Sequence, residues 1–134
     1  VVRAVQDLRG AVRYFYKDKQ TANQYKIDTN KIFIGGSSAG AITSLHMAYL
    51  DDPCKIADYL NDQTISDMGG LEGTSGNPGY SSNIQGVING CGALARYSWI
   101  EADDVPLCSI HGTNDGVVTY NRGKIPTDDN GGKE

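Results

Sequence analysis

Two adjacent serines, Ser37 and Ser38, lie in the glycine-rich segment GGSSAG, residues 35–40. The pattern Gly-x-Ser-x-Gly fits this segment in one register, with Gly36 and Gly40 on either side of Ser38. On a sharp turn from a strand into a helix, a serine in this pattern projects its hydroxyl group outward and can act as a nucleophile. Because the chain contains 17 glycines, the pattern alone is weak evidence, and the surrounding elements must support it.

Two other interpretations of GGSSAG are a phosphate-binding turn and a simple tight connection. The segment lacks the Lys-Ser/Thr pair of a P-loop, and it fails the G-x-G-x-x-G pattern because Ser37 stands two positions after Gly35. We therefore expect Ser38 to be the nucleophile, with crowded, small residues on both sides, and Ser37 to point elsewhere. The free N–H groups at the start of the next helix favour negative charge, so the Ala39 amide is one predicted oxyanion donor.

An acid that could work with this serine is Asp115, in the segment SIHGTNDGVV. It follows an apolar segment that is typical of a strand, so it would lie at a carboxyl end of the sheet. An acid there can hold a histidine in the required tautomer and stabilise its imidazolium form. The alternative is a loop aspartate in an Asx turn. The order of serine then aspartate favours the catalytic interpretation, and Asp103 and Asp104, which precede the strand, are poorer candidates.

Apolar periodicity supplies the elements that would position these residues. Helical spacing predicts one helix over residues 2–23 and a second over residues 41–50. Short apolar segments predict strands over residues 32–34, 84–90 and 105–111. The alternation predicts an α/β fold with three αβα layers and a mainly parallel sheet, as a single domain over residues 1–134.

Ligands of an open α/β sheet bind beyond the carboxyl ends of its strands. The segments that leave those ends are residues 35–40, 91–104 and 112–121. Trp99 and Leu94, in the second of these, are predicted to line a substrate pocket, with packing of Trp99 against a helix as an equal alternative. Val117, in the third, is predicted to touch the substrate or to pack. Residues 61–83 enter a strand, so we expect them to form a long loop at the opposite edge.

Two sequence motifs resemble a known family. The segment DTNKIFIGGSSAGA and the later segment HGTNDGVV are similar to the serine and acid motifs of α/β-hydrolase fold carboxylesterases and lipases. They particularly resemble bacterial esterases of the hormone-sensitive-lipase-like and feruloyl-esterase-like groups, and the likeness extends roughly from Val5 to Tyr120. The resemblance implies a partial α/β-hydrolase fold and hydrolysis of a small-molecule carboxylic ester. It also implies Ser38 as nucleophile, Asp115 as acid and the Ala39 amide as one half of the oxyanion hole.

The base of the triad is the missing part. In that family a histidine follows the acid, but the two histidines of this chain, His46 and His111, both precede Asp115. His46 lies two helical turns beyond Ser38 and is predicted to pack, and His111 is a poor substitute for the base. The HGGG-type oxyanion segment of the family is also absent from the sequence. We therefore expect a central fragment of such an esterase, with little or no activity by itself.

Two further functions stay open. A serine peptidase of the prolyl-oligopeptidase type uses the same fold, and the glycines around the serine do not separate it well from an esterase. A non-catalytic α/β binding module could keep the strand-to-helix turn as scaffold, and the absent base is its best support. A histidine beyond Glu134 in the parent reading frame would decide against the binding module.

Composition limits the cofactors and partners. The formal net charge is −4 with no basic stripe, which argues against nucleic acid, and no apolar run approaches the ~18 residues of a membrane span. The two histidines and the cysteines Cys54, Cys91 and Cys108 match no metal-binding spacing, so we expect no metal and no cofactor. Cys91 and Cys108 are predicted to be buried thiols. The oligomeric state is left open, as is the compartment, with a secreted or periplasmic location slightly favoured over the cytoplasm.

Overall fold

A computed structural model describes residues 1–57 and 59–123 of this chain. Its helices and strands follow one another as α1 (Val2–Gln20), β1 (Phe33–Ser37), α2 (Ala39–Tyr49), α3 (Asp62–Asp67), β2 (Gly86–Gly90) and β3 (Leu107–Ile110). Short 3-10 helices lie at Pro53–Ile56 and Tyr97–Trp99. None of the helices so described combines the length and apolar character that crossing a membrane requires. The predicted domain runs to Glu134, and its residues 124–134, like Asp58, lie outside the described residues.

The strands β1, β2 and β3 form one parallel sheet in that order. Ile34 pairs with Val87, and Val87 pairs with Leu107. Parallel neighbours need a crossover connection; α2 lies in the first crossover, and the second contains the 3-10 helix Tyr97–Trp99. The α/β class and the parallel sheet predicted from the sequence are confirmed, and the arrangement is that of a partial α/β-hydrolase-like fold.

The core lies between the helices and one face of the sheet. It is a single apolar cluster to which α1, α2, β1 and β2 each contribute, through Val5, Leu45, Tyr49, Ile34 and Val87. These side chains are nearly inaccessible to water, and burying an aliphatic or aromatic side chain contributes about 1.5–3 kcal/mol. The same cluster holds α2 in place directly after the serine segment.

The other face of the sheet is open in the part of the chain that the structure describes. Phe33 is 58% exposed, Ile88 52% and Ile110 71%. Side chains alternate between the two faces along a strand, so these three point away from the core, while α1 packs beside α2 on the covered face. The third layer expected from the sequence is therefore not formed by residues 1–57 and 59–123.

All four residues of β3 are exposed. Cys108 lies on this strand and is exposed, whereas Cys91 is half-buried. The prediction of a buried thiol is therefore wrong for Cys108, because no helix among the described residues covers this short edge strand and neither of its faces is buried. Cys54, Cys91 and Cys108 are all free thiols.

The helix α1 ends at Gln20 and not at the predicted residue 23. The buried carboxylate of Asp18 accepts hydrogen bonds from the backbone amides of Gln24 and Tyr25, at 3.0 and 3.1 Å. These bonds bring the chain back toward the last turn of the helix. Apolar spacing does not reveal this end, because the residue that causes it is a charged side chain inside the helix.

Residues 61–83, predicted to be a loop, begin with the short helix α3. The Asn61 side chain caps this helix by accepting a hydrogen bond from an amide of the first turn, at 2.8 Å. The glycine-rich part that follows lies along α1, where Gln6 Nε2 donates to the carbonyl groups of Met68 and Gly70. The loop prediction is therefore wrong over α3, since a helix of this length has too few apolar positions to show a period.

Two buried arginines of α1 fasten this segment to the helix. Arg9 and Arg13 both pair with the Glu72 carboxylate, at 2.5 and 3.0 Å. Arg13 also donates to the carbonyl groups of Ser75 and Gly76. A buried charge is costly unless it is paired and hydrogen-bonded. In this arginine clamp, defined by Arg9, Arg13 and Glu72, both guanidinium groups are paired with the carboxylate and hydrogen-bonded through their terminal nitrogens, and the clamp fixes the segment on α1. Nε of Arg9 is buried without a partner among the described residues.

Candidate active site

The segment GGSSAG forms a sharp turn from β1 into α2. The strand continues through Gly35 and Gly36 to Ser37, further than predicted, and α2 begins at Ala39. Ser38 alone joins the two elements, with φ 52° and ψ −119°. A non-glycine residue held in such a region is strained by about 1–3 kcal/mol. The surrounding structure must therefore hold Ser38 in place.

Backbone hydrogen bonds and one glycine hold this turn. The Ser38 amide donates to the Gly90 carbonyl at 2.9 Å, and its carbonyl accepts from the Ile42 amide at 2.9 Å. A Cβ on Gly36 would lie 2.5 Å from the Gly40 carbonyl carbon, so glycine alone fits there. A Cβ on Gly40 would have no described neighbour within 4 Å. Crowding was expected on both sides of Ser38. Within the described chain it is present at Gly36, before the serine, and the expectation is wrong at Gly40, after it.

The Ser38 hydroxyl is left out of the hydrogen bonds that build the turn. A serine at the start of a helix commonly accepts a hydrogen bond from an amide of the first turn. Here the Ser38 side chain is exposed and makes no such bond. The amides at the start of α2, that of Ala39 first among them, have no partner within the helix and favour negative charge. The hydroxyl is therefore available beside a polar, positively polarised helix end.

Asp115 lies in the loop that follows β3. Its Oδ1 accepts hydrogen bonds from the amides of Val117 and Val118, at 2.9 and 3.0 Å. These bonds, first that from Val117, lower the pKa of the carboxyl group. The Asx-type turn considered as an alternative to a catalytic role is thus present. It engages Oδ1, while Oδ2 faces Nε2 of His111 at 3.4 Å.

His111 is held by the same loop. Its Nε2 lies 2.8 Å from the Val118 carbonyl oxygen, and its ring meets Tyr120 edge-on, with centroids 5.8 Å apart. A carbonyl oxygen only accepts hydrogen bonds, so Nε2 carries a proton and is not free to act as a base. His111 therefore steadies the loop that carries Asp115.

The sheet register brings the serine and the acid to the same edge. Ser37 pairs with Gly90, and Gly90 pairs with Ile110. Ser38 and the loop of Asp115 therefore leave the carboxyl ends of β1 and β3, with β2 between them. Two strand spacings amount to about 10 Å, which leaves room for a third side chain between the two. The catalytic roles of Ser38 and Asp115 stay predictions.

Asn89 is a buried polar residue that the sequence interpretation passed over. Its Nδ2 donates to Ser109 Oγ and its Oδ1 accepts from the Gly92 amide, both at 2.8 Å. It thereby ties β2 to β3 and fixes the turn after β2, where Cys91 also has a positive φ of 55°. That turn adjoins the Ser38 turn. The available signal was an asparagine inside the apolar segment IQGVING.

Trp99, one of three residues predicted to touch the substrate, lies away from Ser38. It is buried and meets His46 edge-on, with ring centroids 5.7 Å apart. It lines a cavity to which no residue of GGSSAG contributes. The alternative prediction, packing against a helix, describes its position. Leu94 is partly buried against the core and Val117 is exposed, and for these two a substrate contact stays a prediction.

His46 lies inside α2, far along the helix from Ser38. It is 6% exposed, its Nδ1 lies 2.8 Å from the Ile42 carbonyl oxygen, and burial lowers its pKa. This agrees with the packing role predicted for it. Among residues 1–57 and 59–123, no group of three or more histidine, cysteine or acidic side chains is arranged to hold a metal ion.

Comparison with known proteins adds one finding. The family model described as BD-FAE matches residues 2–127. The match extends over the strand-to-helix turn at Ser38 and over Asp115. No curated protein and no solved structure matches the chain.

Proposed function

The chain belongs to the BD-FAE family, a family of α/β-hydrolase-like esterase domains, and from this premise we propose that it carries the nucleophile and the acid of a serine esterase. The proposed substrate is a small-molecule carboxylic ester. The proposed nucleophile is Ser38, the proposed acid is Asp115, and the Ala39 amide is the proposed oxyanion donor.

One observation carries this proposal: the strained backbone of Ser38 together with its unused hydroxyl. The residue has φ 52° and ψ −119° and makes no capping bond. Strain of this kind persists where the surrounding structure imposes it, and it clusters at active sites. A serine that served as a simple helix cap would need neither the strain nor a free hydroxyl.

The proposed reaction begins with attack of Ser38 Oγ on the ester carbonyl carbon. The carbonyl oxygen becomes an oxyanion, and the Ala39 amide donates to it; one such donor is typically worth about 3 kcal/mol in the transition state. A base takes the Ser38 hydroxyl proton and gives it to the departing alkoxide, which leaves as the alcohol. Water then attacks the acyl-serine, its proton returns through the base to Ser38 Oγ, and the acid is released. In a triad, Asp115 would orient a histidine and stabilise its charged form.

Neither histidine of the chain is arranged to take the proton from Ser38. His46 is buried two helical turns away, and His111 Nε2 donates to the Val118 carbonyl. General-base catalysis contributes about 10²–10⁴ in rate. We therefore propose that these 134 residues by themselves have little or no esterase activity. We also propose that a group other than His46 and His111 acts as the base.

A non-catalytic binding module is the second candidate. The observation that favours it is the same arrangement of His46 and His111, which leaves Ser38 without a base. On this view the strand-to-helix turn is scaffold, and the Ser38 hydroxyl should show no more reactivity than the hydroxyl of its neighbour Ser37.

A fluorophosphonate probe tests the proposal, because it reacts with activated serines and its site can be located by mass spectrometry. The chain would be incubated with the probe, with and without added imidazole as an exogenous base. Ser38→Ala removes the proposed nucleophile, and Ser37→Ala is the matched control on the adjacent serine.

We expect slow labelling confined to Ser38, lost in Ser38→Ala, kept in Ser37→Ala and accelerated by imidazole. Labelling spread over surface serines, or none at Ser38 even with imidazole, would overturn the esterase proposal in favour of the binding module. Rapid stoichiometric labelling of Ser38 without imidazole would keep the nucleophile but show that the chain already holds a base.

A further inference from the structure

An apolar cavity of about 440 Å³ lies at the beginning of α1, beside the second half of α2. Its volume falls in the range of small-molecule sites, about 300–1,000 Å³. Its buried and half-buried lining is apolar or aromatic except for one histidine: Val2, Ile56, Leu60, Met68, Trp99 and His46. Exposed residues at its edge, Val1, Arg3 and Tyr59, add charged and polar groups. None of them belongs to the turn at Ser38 or to the Asp115 loop.

His46 is the buried polar residue of this cavity. Its Nδ1 lies 2.8 Å from the Ile42 carbonyl oxygen, which can only accept, so Nδ1 carries the proton. Burial lowers the pKa of the ring, which keeps it neutral near pH 7. The other nitrogen, Nε2, is therefore an acceptor, and it has no hydrogen-bond partner among the described residues.

The Nε2 acceptor faces the cavity. Among the described residues, Nε of Arg9 is the side-chain nitrogen or oxygen that is fully buried and has no hydrogen-bond partner. Nε2 of His46 also lacks a partner, so it is not fully buried and must keep some exposed surface. His46 as a whole is only 6% exposed, and the open space that it borders is the cavity.

The wall around this acceptor is held in position. Trp99 meets the His46 ring edge-on, with an interplanar angle of 86°. Lys55 Nζ donates to the carbonyl groups of Trp99 and Tyr49, at 3.0 and 3.3 Å. The ammonium group thereby links the Trp99 segment to the end of α2, so the tryptophan and the histidine keep their relative positions when the cavity is empty.

We propose that this cavity binds a flat, mainly apolar molecule that carries one N–H donor, with the donor bonded to His46 Nε2 and the ring against Trp99 and Met68. The apolar wall supplies the burial of the ring, and thioether contacts with aromatic rings are favourable. Because Nε2 is the single buried acceptor, a molecule without an N–H donor would leave it unpaired. The cavity should therefore favour molecules that carry such a donor. This site is separate from the proposed esterase site and does not depend on Ser38.

Indole and 1-methylindole are matched probes for this proposal, because methylation removes the N–H donor and keeps the ring. Trp99 is the one tryptophan of the sequence, so its Nε1–H gives a single signal in the ¹⁵N spectrum of labelled protein, and unlabelled probe is invisible. Titration of each probe followed at this signal gives the two dissociation constants. His46→Leu removes the acceptor at similar volume.

We expect indole to shift the Trp99 signal in the wild-type chain and in Ser38→Ala alike. A hydrogen bond contributes about 0.5–1.5 kcal/mol net, so the preference for indole over 1-methylindole should fall about two- to thirteenfold in His46→Leu. If that variant does not fold, the ¹⁵N resonance of His46 Nε2 in the wild-type chain decides: it should move with indole and stay with 1-methylindole. No Trp99 shift with either probe, an unchanged preference in His46→Leu, or equal His46 shifts would overturn the proposal.

Discussion

Ser38 combines two properties that a helix-capping serine does not need together. Its backbone lies in a strained region, with φ 52°, and its hydroxyl makes no capping bond. A glycine would adopt the same backbone angles with little strain. The side chain is thus kept at a cost to stability, which is the pattern expected of a residue that is retained for chemistry.

Ser38→Gly should therefore be more stable than Ser38→Ala. Alanine keeps the strain and loses the hydroxyl, whereas glycine relieves strain of about 1–3 kcal/mol and loses some of this gain to the greater freedom of the unfolded chain. We expect a net difference of about 1 kcal/mol in the free energy of unfolding, measured by urea titration. Neither variant should react with the fluorophosphonate probe. A glycine variant less stable than the alanine variant would contradict the assignment of strain.

Asp115 should anchor its loop more strongly while it is charged. Its carboxylate accepts the Val117 and Val118 amides, and these bonds lower its pKa. A lowered pKa in the folded state means that the extra stabilisation from the charge is present above the ordinary aspartate value, about 3.9, and is lost as the pH falls through the folded pKa. Carbon-13 titration of the Asp115 carboxyl group should give a midpoint below that ordinary value.

Asp115→Asn is the control for this titration, because its amide oxygen can still accept the two backbone amides but carries no charge. The amide signals of Val117 and Val118 should move between about pH 5 and pH 2 in the wild-type chain and stay still in the variant. Equal movement in both proteins would show that another group drives the change.

At the scale of elements, the turn between β1 and α2 brings backbone atoms close together at the glycine before Ser38 but not at the glycine after it. The Cα of Gly36 faces the beginning of α2, where a Cβ would lie 2.5 Å from the Gly40 carbonyl carbon and 2.8 Å from the Ala41 nitrogen. Both contacts are with backbone atoms, which cannot move without shifting the helix. Gly40 has open space in the described chain.

These two glycines make a matched pair of variants. Gly36→Ala should lower the free energy of unfolding by about 1–3 kcal/mol, because the new methyl group overpacks the turn. Gly40→Ala should be neutral or stabilising by up to about 1 kcal/mol, since alanine is the better helix former. Thermal or urea unfolding of both variants measures this. Similar losses in both would mean that the turn is crowded on both sides.

The elements around the site could be predicted from the sequence to different degrees. The segment leading into α2 was recognisable because apolar residues changed from a continuous run to helical spacing at the glycines. The end of α1 and the helix α3 were missed because the Asp18 and Asn61 side chains set them through hydrogen bonds to the backbone. For Trp99 the sequence left two alternatives, a substrate pocket and packing against a helix, because an aromatic side chain suits both. Only the fold distinguishes them.

At the scale of the whole molecule, the arginine clamp holds several elements together without contributing a residue to the candidate site. Glu72 receives Arg9 and Arg13, and Ser82 Oγ contacts both of its carboxylate oxygens, at 3.1 and 3.0 Å. Arg9 also reaches the Met47 carbonyl of α2, at 3.2 Å. The clamp therefore links α1, α2 and the segment after α3, and the strained turn at Ser38 depends on α2 keeping its place.

Glu72→Gln should destabilise the whole fold. The amide keeps the size of the side chain but removes the charge that compensates two arginines whose side chains are 11% and 3% exposed. Breaking a fully buried ion pair costs about 3–5 kcal/mol, and since the Glu72 side chain is 58% exposed we expect a smaller loss, about 1–3 kcal/mol, by urea unfolding. The control is Asp28→Asn, whose pair with Lys31 is exposed on both sides and should matter by less than about 1 kcal/mol. Equal effects in the two variants would show that the clamp is an ordinary surface contact.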